Sequence, residues 1–158
     1  MASINFFFEG DAKIVSLKKT QTRSWIENMV AQYEFTITCI NYIFCRDAYL
    51  HEINVKYLNH DTYTDIITFD NSQSKEDLEG DIFISIDRVR ENALTFEKDF
   101  TEELHRVIAH GTLHLLGYKD KSALEKKTMR DEEERWLKFN KVPRGTYSIH
   151  VPRGTSKN

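Results

Sequence analysis

Residues 110–120 read HGTLHLLGYKD. His110 and His114 stand one helical turn apart, separated by roughly 40° around a helix of about 3.6 residues per turn, so both imidazoles leave the same face. Gly117 comes three residues later, and glycine is the usual residue where a helix ends in a left-handed turn. The chain can then curl back and carry Asp120 to the same point. Two neutral imidazoles and one carboxylate make a three-ligand site with an open position. That is the catalytic type, because structural zinc sites close with four protein ligands. The set suits one divalent ion, Zn2+ best, and would also hold Ni2+, Fe2+ or Mn2+.

A site of this kind needs a helix packed on a rigid support, and the hydrophobic pattern supplies one. Ile4 to Phe8 is a short β-favouring run, and Phe35 to Cys45 alternates so that Phe35, Ile37, Cys39, Ile43 and Cys45 would share a face. DIITFD and GDIFISI are two further strands joined by the polar loop NSQSKEDLE, with Ile82 to Ile86 apolar on both faces as in a covered central strand. Ser16 to Tyr33 has helical periodicity, and a second helix follows from Asp47, a candidate cap, to about Tyr57. Asp87 and Thr101 are candidate caps for helices beginning at Arg88 and at Glu102. SALE, from Ser122 to Glu125, is a capping-box pattern opening a last helix to about Phe139. Its RDEEER reads as a solvated face. The sum is one α+β domain over residues 1–140, a small four-stranded mixed sheet packed with about five helices.

Composition agrees with a soluble globular chain: 40% hydrophobic, 30% charged, in 158 residues. No apolar run is long enough to cross a bilayer, and the start lacks a basic stretch ahead of its short apolar run, so no membrane partner and a cytoplasmic location are expected. Cys39 and Cys45 lack ligand or redox spacing and read as reduced core residues. A net charge of −3 argues against a general polyanion binder. Residues 141–158 carry VPRG twice and read as a basic, mobile tail.

The spacing of the histidines, Gly117 and Asp120 is that of the metzincin zinc peptidases, with Asp120 in place of their third histidine. Those enzymes need a glutamate directly after the first histidine to deprotonate the water. Here that residue is Gly111, which can neither take a proton nor orient a water. A peptidase is disfavoured. The stretch instead resembles the signature of the YbeY family of metal-dependent endoribonucleases, at His110, Gly111, Leu113, His114, Leu115, Gly117 and Tyr118. YTDIITFD and GDIFIS are similar to that family's Thr-Asp-Val-Leu-Ser-Phe and Gly-Asp-Ile-x-Ile-Ser segments. The resemblance spans Ile4 to about Phe139.

It implies a zincin-like metal helix and cleavage of single-stranded ribosomal RNA, in maturation of its ends and in ribosome quality control. The partners implied are ribosomal RNA and the small subunit or ribosome-associated proteins. His110, His114 and Asp120 would hold the ion and carry the catalysis, a water in the open position attacking the phosphodiester. Asp120 stands where the family has its third histidine and Lys119 where it has aspartate; the added negative charge weakens the Lewis acid. The family's Tyr-Arg is Tyr57-Leu58 here, which leaves Lys56 and His60 as candidates for phosphate contact. Thr64, Asp65 and Asp81 are candidates to orient ligands or waters. Lys56, Arg88, Arg90 and Arg106 are basic side chains that could line the approach. The rival reading is a ribosome-associated assembly protein whose metal site is structural or vestigial.

Overall fold

A computed structural model describes residues 2–60 and 62–141. Strands β1 (Ser3–Phe8), β2 (Thr36–Cys45), β3 (Ile66–Asp70) and β4 (Asp77–Ser85) form one sheet in the order β1-β2-β4-β3. The first, second and fourth run parallel, and β3 is antiparallel to β4, which makes the sheet mixed. The described helices are α1 (Lys19–Ala31), α2 (Asp47–Leu58), α3 (Ile86–Thr95), α4 (Phe100–Leu115) and α5 (Ala123–Lys141). None of them is long and apolar enough to cross a membrane. The expected basic tail lies outside the described residues, apart from Lys141.

Interior strand β4 is covered on both sides, as its apolar run predicts. Ile82 and Ile84, with Ile40, Tyr42 and Phe44 of β2, meet Leu104, Val107, Ile108, Leu113 and Leu115 of α4. On the other face Cys45, Leu50, Ile53 and Ile67 pack under α2 with Phe69 and Phe83. Burying each large aliphatic side chain contributes roughly 1.5–3 kcal/mol, so five of them fix α4 firmly to the sheet. Edge strand β3 ends this layer beside the C-terminal half of α4.

Three local expectations are corrected. Thr38 is an extra residue in β2, where the register slips between Ile37 and Cys39. This bulge reverses the alternation: Ile37 joins Ile40, Tyr42 and Phe44 in the main core, while Cys45 joins the cluster under α2 and Ile43, two residues before it, shares its face. Cys39 is in consequence only partly buried, beside the amides of Asn5 and Asn41. The expected caps also change hands. Asp87 accepts from the backbone N–H of Asp47 at 2.9 Å, capping α2 from a distant part of the chain. Asp47 instead accepts from Ser85 Oγ at 2.8 Å, and Ser85 is the residue that caps α3, through Arg88 N–H. Helix α4 begins at Phe100 with Asp99 at its cap position and no side-chain cap bond, so Thr101 sits inside the first turn. The capping box at Ser122 forms as read, each partner receiving the other's backbone N–H.

Candidate metal centre

Helix α4 leaves its last turn through two nested bonds. Tyr118 N–H donates to Leu113 O and Gly117 N–H to His114 O, both at 3.0 Å, and Gly117 takes a φ of 107° that a side chain would strain. This turn swings residues 118–120 back over the helix end. Asp120 Oδ2 then lies 3.1 Å from His110 Nε2 and 3.4 Å from His114 Nε2, and the two Nε2 atoms are 3.0 Å apart. Donors about 2.0–2.1 Å from a tetrahedral ion sit about 3.3 Å from one another, so these three edges fit one face of such a site. The partial negative charge of the helix C-terminus favours a cation at the same place.

The far side of each ring fixes which nitrogen faces inward. His110 Nδ1 donates to Glu133 Oε2 at 2.6 Å, and His114 Nδ1 donates to the Tyr118 carbonyl at 3.0 Å. With both Nδ1 atoms engaged, the Nε2 lone pairs converge with a carboxylate oxygen. Three acceptors facing one another repel unless a cation lies between them, and the donor set therefore fits a divalent ion. Burial alone would lower the His110 pKa, but the Glu133 hydrogen bond and the charges of Glu133, Asp120 and Asp65 outweigh it, leaving it above the ordinary value. Burial and the neighbouring His110 hold the His114 pKa below the ordinary value, against Asp120 and the Tyr118 carbonyl.

Glu133 was hidden in the RDEEER run. That run is not wholly a solvated face: Glu132 and Glu133 are buried, because α5 docks with Met129, Trp136 and Leu137 inward. Trp25 Nε1 donates to the Trp136 carbonyl at 2.9 Å and ties α5 to α1. Arg106, one turn before His110, donates to the other oxygen of Glu133 at 3.2 Å and also pairs with Glu134. It is thus occupied in supporting the site and does not line the cleft. The other two arginines considered for the approach are engaged as well, Arg88 with Asp47 and Arg90 over the Phe100 ring.

Gly111 faces the sheet. A Cβ there would lie 2.6 Å from Ile66 Cδ1 and 2.8 Å from Ile82 Cγ2. The glycine lets α4 approach closely enough to hold the histidines beside β3.

The three converging atoms open into a cleft of about 570 Å³ along that edge strand. His60, Thr64 and Asp65 line it, together with Leu58, Thr62, Thr68, Asp70 and Lys121. Burial raises the Asp65 carboxyl pKa against the lowering effect of His110, and Asn92 Nδ2 donates to it at 3.3 Å. Thr68 Oγ1 is buried with no hydrogen-bond partner, a missed polar group at the cleft wall that a water or ligand atom would satisfy. Leu58 presents an apolar side chain where the resemblance led one to expect arginine. Two predicted residues are not brought to the site. Lys56 is exposed on α2 with its ammonium over the Tyr57 ring. Asp81 points to the opposite sheet face from Ile82, where Asn41 donates to it at 2.9 Å in a ladder that continues to Asn5.

A family model described as Endoribonuclease YbeY matches residues 8–141. The chain is 48% identical over 136 residues to the endoribonuclease YbeY of Cytophaga hutchinsonii, covering 86% of this chain and 95% of that one. It is 50% identical over 131 residues to the endoribonuclease YbeY of Christiangramia forsetii, covering 83% of this chain and 90% of that one. The solution structure of TM1509 from Thermotoga maritima shares the fold, with a TM-score of 0.62 at 24% identity over 87% of this chain and 88% of the other.

Proposed function

The chain belongs to the endoribonuclease YbeY family, and on that premise we propose that it is a metal-dependent endoribonuclease acting on single-stranded ribosomal RNA. The observation that carries the metal dependence is the convergence of His110 Nε2, His114 Nε2 and Asp120 Oδ2 with both Nδ1 atoms engaged elsewhere. When bound there, a divalent ion, Zn2+ foremost, supplies Lewis acidity to a phosphodiester oxygen and lowers the pKa of a water ligand. Glu133 and the Tyr118 carbonyl hold the rings so that their lone pairs need no reorganisation. His60 and Lys121 stand along the cleft where phosphates would pass, and Asp65 and Thr64 offer oxygens to an incoming water or a 2′-hydroxyl. Gly111 supplies no base, which an already anionic substrate held beside a cation needs less than a peptide does.

Maturation of ribosomal RNA ends and ribosome quality control, in the cytoplasm and with the small subunit as partner, is the role this reading gives the activity. One observation favours the rival, an assembly protein with a structural or vestigial metal site. Among the described residues lining the cleft, Asp65, Asp70 and Asp120 outnumber Lys121. The test is to quantify metal in the purified protein and incubate it with single-stranded ribosomal RNA beside His114→Ala. We expect the variant to lose both metal and cleavage. Metal bound by the parent protein without any difference in cleavage between the two would overturn the enzyme reading and leave the assembly reading standing.

A further inference from the structure

Tyr63 lies between Thr62 and Thr64, both of which line the cleft, yet the tyrosine is 60% exposed. Its ring is not loose. His51 stacks on it with 4.4 Å between centroids and 15° between planes, and the Arg88 guanidinium lies 5.9 Å from its centroid. Arg88 is anchored in turn by Asp47 at 2.9 Å. Asn54, itself buried, donates to the Thr62 carbonyl at 2.8 Å and so ties the segment carrying the ring to α2. An aromatic face held this way has given up much of its conformational freedom during folding, and a ligand that stacks on it does not bear that cost again.

The rest of the cleft indicates which ligand that would be. With Lys121 as the one lysine or arginine among its described lining residues, phosphate attraction is small for a protein that holds a nucleic-acid strand. Affinity must then come from the bases, and stacking on an aromatic side chain strengthens binding by about 5- to 150-fold per base. A duplex has its bases already stacked and paired, so only an unpaired base can offer its face. Building on the RNA-cleaving reading above, we propose that Tyr63, held in place by the His51 stack, is a stacking platform for an unpaired base of the strand being cut. The platform favours single strands over duplexes.

The test compares the full chain, loaded with metal, with its Tyr63→Ala and Tyr63→Trp variants. Binding of a labelled single-stranded RNA oligomer is followed by anisotropy, with kcat and KM measured in parallel. Tyr63→Ala should weaken binding and raise KM by about 5- to 150-fold, with kcat changed by less than about threefold. Tyr63→Trp should keep the affinity. An abasic nucleotide scanned along the oligomer should cost the parent protein affinity at one position and cost Tyr63→Ala nothing further there. Affinity of Tyr63→Ala within about twofold of the parent overturns the proposal, and so does an equal abasic cost in both proteins. An equal loss in the alanine and tryptophan variants also overturns it, since the tyrosine would then act only by propping His51 and Arg88. A parent protein that neither binds nor cleaves RNA removes the platform together with the nuclease reading. Cleavage that is indifferent to Tyr63→Ala removes the platform alone.

Discussion

Changing Glu133 to glutamine tests whether α5 sets the metal affinity of ligands carried by α4. The carboxylate is 7% exposed, with Oε2 at 2.6 Å from His110 Nδ1 and Oε1 at 3.2 Å from Arg106 Nη1. Glutamine keeps the size, but it loses the charge and must turn its NH2 toward one of two donors. Removing such a partner from a ligating histidine costs about 10- to 100-fold in metal affinity, or about 1.4–2.7 kcal/mol. Proton competition gives the effect a pH signature. Glu133 raises the proton affinity of His110 along with its metal affinity, so below the raised His110 pKa part of its benefit is spent on the competing proton. The loss in Glu133→Gln should therefore be full at alkaline pH and shrink as pH falls through that pKa. The metal-free protein should show the complementary trend. A raised folded-state pKa adds stability below the unfolded value, and that stability disappears as pH rises through the folded one. The thermal stability lost in the variant should thus be largest in mild acid. Competition against a chelator of known zinc affinity, at a pH above and a pH below the His110 transition, measures both effects. Affinity within about twofold of the parent at the higher pH would refute the role given to Glu133, and a ratio independent of pH would refute the proton argument.

Gly111→Ala gains about 1 kcal/mol of helix propensity but forces a Cβ to within 2.6–2.8 Å of Ile66 and Ile82, an overpacking that costs about 1–3 kcal/mol. Urea denaturation should show a net loss of up to about 2 kcal/mol, and a gain of about 1 kcal/mol would contradict the close approach of α4 to the sheet. Tyr118→Phe removes a buried hydroxyl that has no hydrogen-bond partner, while His114 keeps its bond to the backbone carbonyl of residue 118. The melting temperature should hold or rise and metal affinity should not change; a loss of more than about 1 kcal/mol would mean that the hydroxyl has a bound water to lose.

The convergence of the candidate ligands could be read from the sequence because it is local. His110, His114, Gly117 and Asp120 lie on one helix and the turn leaving it, so periodicity and one glycine were enough to place them together. Glu133 could not be read this way. It lies 23 residues from His110, and a run of six charged residues has the pattern of a solvated surface until α5 is docked. Arg106 looked like a phosphate contact for the same reason, since its nearest acidic partners, Glu133 and Glu134, are contributed by another helix. In β2 the alternation was visible, but the extra residue at Thr38 was not, and a bulge moves every later side chain to the other face. The cap exchange between Asp47 and Asp87 is likewise a contact across 40 residues. Local spacing identified each helix, and only tertiary packing decided which acid served which end.

A carboxylate beside the first histidine is what separates zinc-peptidase sites from this one, and residue 111 is where it would have to appear. Drift at that codon alone does not reach such a site, because any side chain there collides with Ile66 and Ile82. Room must be made first by shortening one of those isoleucines, at about 0.5–1.5 kcal/mol for valine or 2–5 kcal/mol for alanine. The intermediate sequence would be less stable and would have no new activity to offset the loss. The two chemistries are therefore neighbours by sequence alignment but sit on opposite sides of a stability valley, and the seat of one helix on one sheet restricts what descendants of this chain can become.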